Sequence, residues 1–258
     1  MKYTVLSLFP EICDAYFASS IMAKAVKAGA VQYSAINIRD YAFDKHRTCD
    51  DAPYGGGAGM LMLAEPLASA LQAAGVGAKT DTKTPARHTV YLSPSGRPFS
   101  QAIAKELAGK RELILICGRY EGIDQRIIDT YVDDEISVGD YVLSSGEVAA
   151  LVVIDATYRL LQSVITPASL DEESFSGGLL EYPQYTRPEI YDTIKVPEVL
   201  LSGHHENIRR WRLEKRVEKT LAKRPDMIRV GEERCLFDEE TRKIIEQKRR
   251  ETSGEGER

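Results

Sequence analysis

Short unbroken apolar runs alternate with helically spaced apolar positions over the first 160 or so residues. Tyr3–Phe9, Val31–Ile38, His88–Leu92 and Glu112–Cys117 read as strands. Ile12–Ala28, ended by Gly29, has helical spacing, as do Pro66–Ala74, Phe99–Ala108 and Gly146–Leu161. The last of these is apolar on most sides, which predicts a well-buried helix. Strands alternating with helices imply parallel pairing and an α/β layout. There is no internal repeat.

Two stretches break this pattern. Gly75–Arg87 (GVGAKTDTKTPAR) reads as a surface loop. Thr166–Gly178 (TPASLDEESFSGG) is polar, acidic and flanked by Pro and Gly, as an interdomain linker is. The expected organisation is a first domain over 1–162, a linker over 163–178 and a small, mainly helical C-terminal domain over 179–258. A charged tail, Glu251–Arg258, is expected to be disordered. His204–His205 reads as a helix start, and the helix over Ile208–Lys223 places Leu213, Val217 and Leu221 on one face. Arg209, Arg212, Arg216, Lys219 and Lys223 fall on an adjacent arc.

Composition changes the picture little: 258 residues, 43% hydrophobic and 28% charged, are those of a globular protein able to bury a core. The strongest apolar run, Val148–Ile154, lies between Glu147 and Asp155 and falls far short of the ~20 residues of a membrane span. The N-terminus has one cation and a short apolar run ended by Pro10 and Glu11, so no signal peptide is expected. Cys13, Cys49, Cys117 and Cys235 form no CxxC pair, which predicts reduced thiols, a cytoplasmic protein and no zinc framework. The four histidines show no metal-ligand spacing.

Charge is more telling in its distribution. The net charge is −5, yet His204–Arg229 holds nine Lys and Arg against four Asp and Glu, a local +5. A basic segment on an acidic body suits a protein that docks a polyanion at one place, although a solvated helix face has the same look.

Three Gly-rich turns each follow a strand pattern: Ser93–Pro98, Gly118–Asp124 and Val138–Glu147. In an open α/β sheet, ligands bind beyond the carboxyl ends of the strands. Brought side by side, such turns offer backbone donors and acceptors suited to a flat, neutral heterocycle such as adenine. The common nucleotide and hydrolase signatures are missing: there is no GxxxxGK[ST], no GxSxG and no HExxH. The GxGxxG begun by Gly55 and Gly57 fails at Met60. A fourth loop, His46–Met60, has glycines that permit close approach of a partner, with His46 and Arg47 as phosphate or base contacts.

Seven blocks carry a family resemblance: SLFPEI, HRTCDDAPYGGGAGML, YLSPSGRP, CGRYEGID, SVGDYVLSSGE, EYPQYTRPEI and VPEVLLSGHHENIRRWR. In this order, from about Ser7 to Arg212, they resemble the bacterial tRNA (guanine-N1)-methyltransferases, the TrmD family of the SPOUT superfamily. The resemblance implies a trefoil-knotted, parallel-sheet α/β domain, which sequence periodicity alone would never suggest because knots are nearly absent from proteins. It also implies a homodimer, with each donor site near the partner's linker and C-terminal domain. S-adenosyl-L-methionine is the implied methyl donor, and magnesium dependence is left open. The implied substrate is the tRNA anticodon stem-loop, methylated at N1 of guanosine 37, just 3′ of the anticodon.

Carried over position by position, the cofactor residues are Tyr91, Leu92, Ser93, Pro94 and Gly96, then Gly118, Tyr120, Glu121 and Gly122. The third loop adds Ser137, Val138, Gly139, Asp140, Tyr141, Val142, Leu143, Ser145 and Gly146. Glu121 and Arg159 fall at positions that contact the target guanine or its surroundings. The substrate-binding set adds His46, Arg47, Asp50 and Gly59 of the fourth loop and Arg209, Arg212 and Arg216 of the basic arc, which would hold the tRNA phosphates. The family's catalytic aspartate precedes a Ser-Phe pair in the linker; here Glu173 precedes Ser174-Phe175, and Asp171 is the neighbouring alternative. Ser145 and Ala149 stand where the family usually has Gly and often has Pro.

The chemistry fits these residue types. Guanine N1 carries a proton, so a carboxylate must accept it as methylation proceeds. Charge then moves to O6, where a cation such as Arg159 would stabilise it. The remaining demand is alignment, with no zinc or covalent nucleophile required. A base in an unpaired loop is the readiest to leave its stack. The rival readings are a ribose 2′-hydroxyl methyltransferase of the same fold and a non-catalytic RNA-binding protein.

Overall fold

The computed structural model describes residues 1–79, 87–161, 164 and 173–254. The chain forms two compact units, Met1–Ile165 and Thr166–Arg258.

The first unit begins with β1 (Lys2–Ser7), α1 (Glu11–Phe17), α2 (Ser20–Lys27) and β2 (Gln32–Asn37). The single helix expected over Ile12–Ala28 is two. Cys13, Phe17, Met22 and Ala25 are all buried, but a continuous helix would carry Met22 about 140° round from Phe17. Extended backbone at Ser19 and a positive φ of 51° at Ser20 re-aim the second half onto the same core. Phe17 also stacks on Tyr33 of β2, ring centroids 3.7 Å apart.

After β3 (Asp50–Asp51) and β4 (Leu61–Met62) come α3 (Ala64–Ala73), β5 (Arg87–Pro98), α4 (Gln101–Ala108) and β6 (Glu112–Ile116). Then α5 (Gln125–Tyr131), β7 (Asp134–Ser137) and α6 (Gly146–Tyr158) complete the unit. Neither α5 nor β7 is marked by strong periodicity. The helix expected to reach Leu161 stops at Tyr158, with Arg159 as its C-cap. Arg87 belongs to β5 rather than to a surface loop: its guanidinium pairs with Glu112 at 2.9 Å and donates to the Gly75 carbonyl. Residues 80–86 of that expected loop lie outside the described residues.

Strand order is β2-β1-β6-β5-β7, and every pairing is parallel. Alternation along the strands divides the core in two. Tyr3, Val5, Val90, Leu92, Leu113 and Leu115 join residues of α1, α2, α4 and α6 on one face. Leu6, Tyr91, Ile114 and Ile116 join Leu67 and Leu71 of α3 and Ile127 of α5 on the other. From β5 the chain steps to β6, then returns past β5 to β7. The strand ends flanking such a reversal are where open α/β sheets hold ligands.

The second unit contains a short hairpin, β8 (Ile190–Tyr191) and β9 (Ile194–Lys195), then α7 (Glu198–Leu201), α8 (His205–Lys223), α9 (Pro225–Glu233) and α10 (Glu239–Gly254). Val217, Ile228, Phe237, Ile244 and Ile245 form its core, with Leu213 and Leu221 packed against them, so the predicted apolar face of α8 is buried. The tail expected to be disordered from Glu251 is helical to Gly254, and Lys248 and Gln247 both donate to the Glu251 carboxylate. Residues 166–172 of the expected linker, with Asp171, lie outside the described residues, as do 255–258. No helix among the described residues is long and apolar enough to cross a membrane.

Candidate active site

The first Gly-rich segment is an excursion within a strand. Leu92 and Arg97 both pair with Ile136, so Ser93–Gly96 bulges out of β5, and the Ser93 and Ser95 hydroxyls hydrogen-bond at 2.7 Å. Gly96 lies flat against β7, where any Cβ would collide with the backbone of Ile136.

The second turn follows β6. Positive φ at Tyr120 (58°) and Gly122 (125°) folds it back. It is tied to the fourth loop through Glu121 N–H to Met60 O (3.0 Å) and Met62 N–H to Gly122 O (3.0 Å). These bonds bring Gly59 against Glu121: a Cβ at Gly59 would sit 2.5 Å from Glu121 Oε1.

The third turn ends at α6 and meets the second directly. Gly146 N–H donates to Gly118 O at 2.9 Å. A Cβ on Gly146 would lie 2.7 Å from both Cys117 Cα and Gly118 N, and one on Gly118 would lie 3.0 Å from the Tyr91 ring. At Gly146 glycine is needed because backbone packs on backbone, whereas Gly118 faces the Tyr91 side chain.

The three turns enclose one cavity of about 420 Å³. It falls within the ~300–1,000 Å³ of small-molecule sites. Every expected cofactor residue lines it except Gly96 and Asp140, and Ser95, Arg119, Ile136, Ser144 and Ala149 line it beyond those expected. Gly96 is spent on packing against β7 instead. Arg119 and Glu121 are the charged residues of the wall, and Arg119 lies 3.3 Å from the buried Glu147 carboxylate. Burial also pushes the Tyr91 phenol above its usual pKa, so it stays neutral. The wall is therefore near neutral and rich in backbone groups. Such a cradle offers backbone edges to a flat heterocycle.

Of the other expected site residues, His46, Arg47, Asp50, Gly59 and Arg159 belong to the first unit, and Glu173, Arg209, Arg212 and Arg216 to the second. Arg47, at φ 55°, pairs with Asp40 at 3.1 Å; His46 is exposed, and Asp50 is half-buried in β3. Arg159 is half-buried at the end of α6. In the second unit, Glu173 is half-buried before a turn closed by Ser176 N–H to Glu173 O (3.1 Å).

The arc of α8 is not an open cationic stripe. Arg209 pairs with Glu206 (2.7 Å) and Glu240 (2.9 Å). Arg216 donates to the Ser176 carbonyl at 2.9 Å and the Leu180 carbonyl at 3.3 Å. Arg212 lies over the Tyr182 ring at 4.7 Å. Acids three and four residues along α8, and carbonyls of the preceding segment, take up charge that a count of basic residues leaves open.

A second cavity of about 700 Å³ lies beside the fourth loop, lined by Phe43, Tyr54, Asp51, Glu65, Asp124 and Arg126 among others. Thr48, Asp51, Ala52, Pro53 and Tyr54 of its wall belong to the fourth loop, which the sequence marked as a place of close approach. Among the described residues, no group of three or more His, Cys, Asp or Glu could hold a metal ion.

A parallel α/β unit with a near-neutral, glycine-walled cavity at its strand ends has the form of a small-molecule site. The match is more specific than that: residues 1–230 fit the model of the tRNA (guanine-1)-methyltransferase TrmD family, and the chain belongs to that family. It is 58% identical over 247 residues to a tRNA (guanine-N(1)-)-methyltransferase of Treponema denticola, covering 96% of this chain and 98% of the relative. Equally named proteins of Borrelia duttonii (58% over 229 residues; 88% and 92% covered) and Treponema pallidum (52% over 247; 96% of each) are also similar. The chain is thus an enzyme of the methyltransferase class.

Proposed function

We propose that the chain methylates N1 of guanosine 37 in tRNA, with S-adenosylmethionine held in the three-turn cavity. The supporting observation is the convergence of three glycine-packed turns on one near-neutral cavity. Bound there, S-adenosylmethionine supplies a methyl group already activated by its sulfonium. The chain's own residues do the rest. Backbone groups of the turns hold and orient the donor. Glu121 and Gly59, adjacent across the second and fourth loops, flank the target guanine. Glu173 accepts the N1 proton, with Asp171 the next choice, and Arg159 stabilises the charge that develops on O6.

This reading includes the SPOUT trefoil knot for the first unit, tRNA docking by the second, and a cytoplasmic location. It also includes a homodimer. Ile12 on α1 and Val148 and Val152 on α6 are 38%, 47% and 44% exposed on helices that pack side by side, and a second copy would cover them. Magnesium enters as an assay variable, since activity with and without EDTA separates metal-assisted from metal-free transfer. The reading is tested by transfer of labelled methyl from S-adenosylmethionine to an unmodified tRNA transcript.

A further inference from the structure

Glu147 is completely buried, in the first turn of α6 directly after the third Gly-rich turn. Its Oε1 accepts a 2.5 Å hydrogen bond from the Ser7 hydroxyl at the end of β1. Its Oε2 makes no hydrogen bond among the described residues and faces Arg119 Nη2 at 3.3 Å. Arg119 belongs to the second turn and lines the cavity. Its guanidinium lies 4.5 Å over the Phe9 ring, and its buried Nε has no hydrogen-bond partner among the described residues. The Ser7 hydroxyl also accepts from Phe9 N–H at 2.8 Å.

The pair thus joins three segments, the end of β1, the second turn and the start of α6, at the place where the second and third turns touch. Two features speak against a purely stabilising role. A buried ion pair is often no better for stability than apolar residues of equal volume. This one is also incompletely satisfied, which is costly in a low-dielectric setting. A directional charge contact does what an apolar pair cannot: it fixes the relative placement of the two segments it joins. It also pairs the charge of Arg119, one of the two charged residues of the wall.

We propose that Arg119 and Glu147 are positioning residues that set the spacing of the second and third turns, and through it the affinity for the methyl donor. The proposal rests on the donor site assigned above. The test uses the full-length protein and measures S-adenosylmethionine binding by calorimetry, thermal unfolding, and the KM for tRNA. Glu147→Gln keeps an acceptor for Ser7 but removes the charge. It should weaken donor binding about tenfold or more while the KM for tRNA stays put. The double variant Arg119→Met/Glu147→Met guards against a folding defect and separates the two roles. It should regain wild-type thermal stability yet keep the weakened donor affinity. Wild-type donor affinity in the double variant, or in a folded Glu147→Gln, would overturn the proposal. Failure of the wild-type protein itself to bind the donor would instead overturn the site assignment.

Discussion

Gly146 donates its backbone N–H to the carbonyl of Gly118 at 2.9 Å, a contact between two turns 28 positions apart that fixes the floor of the cavity. Gly146 has no room for a side chain, and one at Gly118 would press on Tyr91. Gly146→Ala would put a methyl 2.7 Å from Cys117 Cα and Gly118 N, which are backbone atoms and cannot swing aside. The turns must separate, at an overpacking cost of about 1–3 kcal/mol. Donor affinity should fall roughly 10- to 100-fold, read by calorimetry. Undiminished binding in Gly146→Ala would show that the turns do not form the donor site.

Glu173→Gln preserves size and polarity but cannot take a proton. If Glu173 is the base, single-turnover methyl transfer should slow by about 10²- to 10⁴-fold with donor binding nearly intact. An unchanged rate moves the role to Asp171, tested as Asp171→Asn.

The arginines and lysines of α8 should separate by phenotype. Arg216→Ala strips donors from two carbonyls, Ser176 and Leu180, so it should destabilise the second unit by about 1–3 kcal/mol in thermal or urea unfolding. Lys219 and Lys223 are exposed and make no ion pair among the described residues. Replacing both with Gln should leave stability alone, weaken tRNA binding and flatten its salt dependence by roughly 0.7–0.9 for each phosphate no longer neutralised. A salt slope equal to the wild type's would make these lysines a solvated face.

The thiols supply a pH test. Burial pushes Cys13 up to about 12 and Cys117 well above its usual value, while Cys235 is exposed. Only Cys235 should react with a thiol reagent at pH 8 in the folded protein, and all four cysteines after unfolding. The sign for stability follows. The folded thiol pKa lies above the unfolded value near 9.0, so the contribution of Cys13 is complete below that pH. It is lost as pH rises from there towards 12. Rapid labelling of two or more thiols in the folded state would contradict the buried assignments.

Much of the fold is legible in the chain. The apolar runs at Tyr3–Phe9 and Glu112–Cys117 are long enough to mark β1 and β6. The Gly-rich turns are visible because close packing, on backbone at Gly146 and on the Tyr91 side chain at Gly118, favours glycine. Other features are hidden for physical reasons. The break at Ser19–Ser20 serves a tertiary need, to bring Met22 and Phe17 onto one core, and carries no local breaker residue. The first turn is a bulge inside β5, which shows only once β7 is alongside. Glu147 borders an apolar run and reads as the end of a strong helix signal; its pairing with Arg119 depends on segments far apart in sequence. Helical spacing overstates the stripe on α8, because it says nothing of the carbonyls at Ser176 and Leu180 that occupy Arg216.

The most direct measurement is methyl transfer from labelled S-adenosylmethionine to two tRNA transcripts, one with guanosine just 3′ of the anticodon and one with adenosine there, with the product nucleoside identified by mass spectrometry. The account predicts N1-methylguanosine from the first transcript and no product from the second. A methylated ribose, equal transfer to both, or tight tRNA binding without transfer would contradict it.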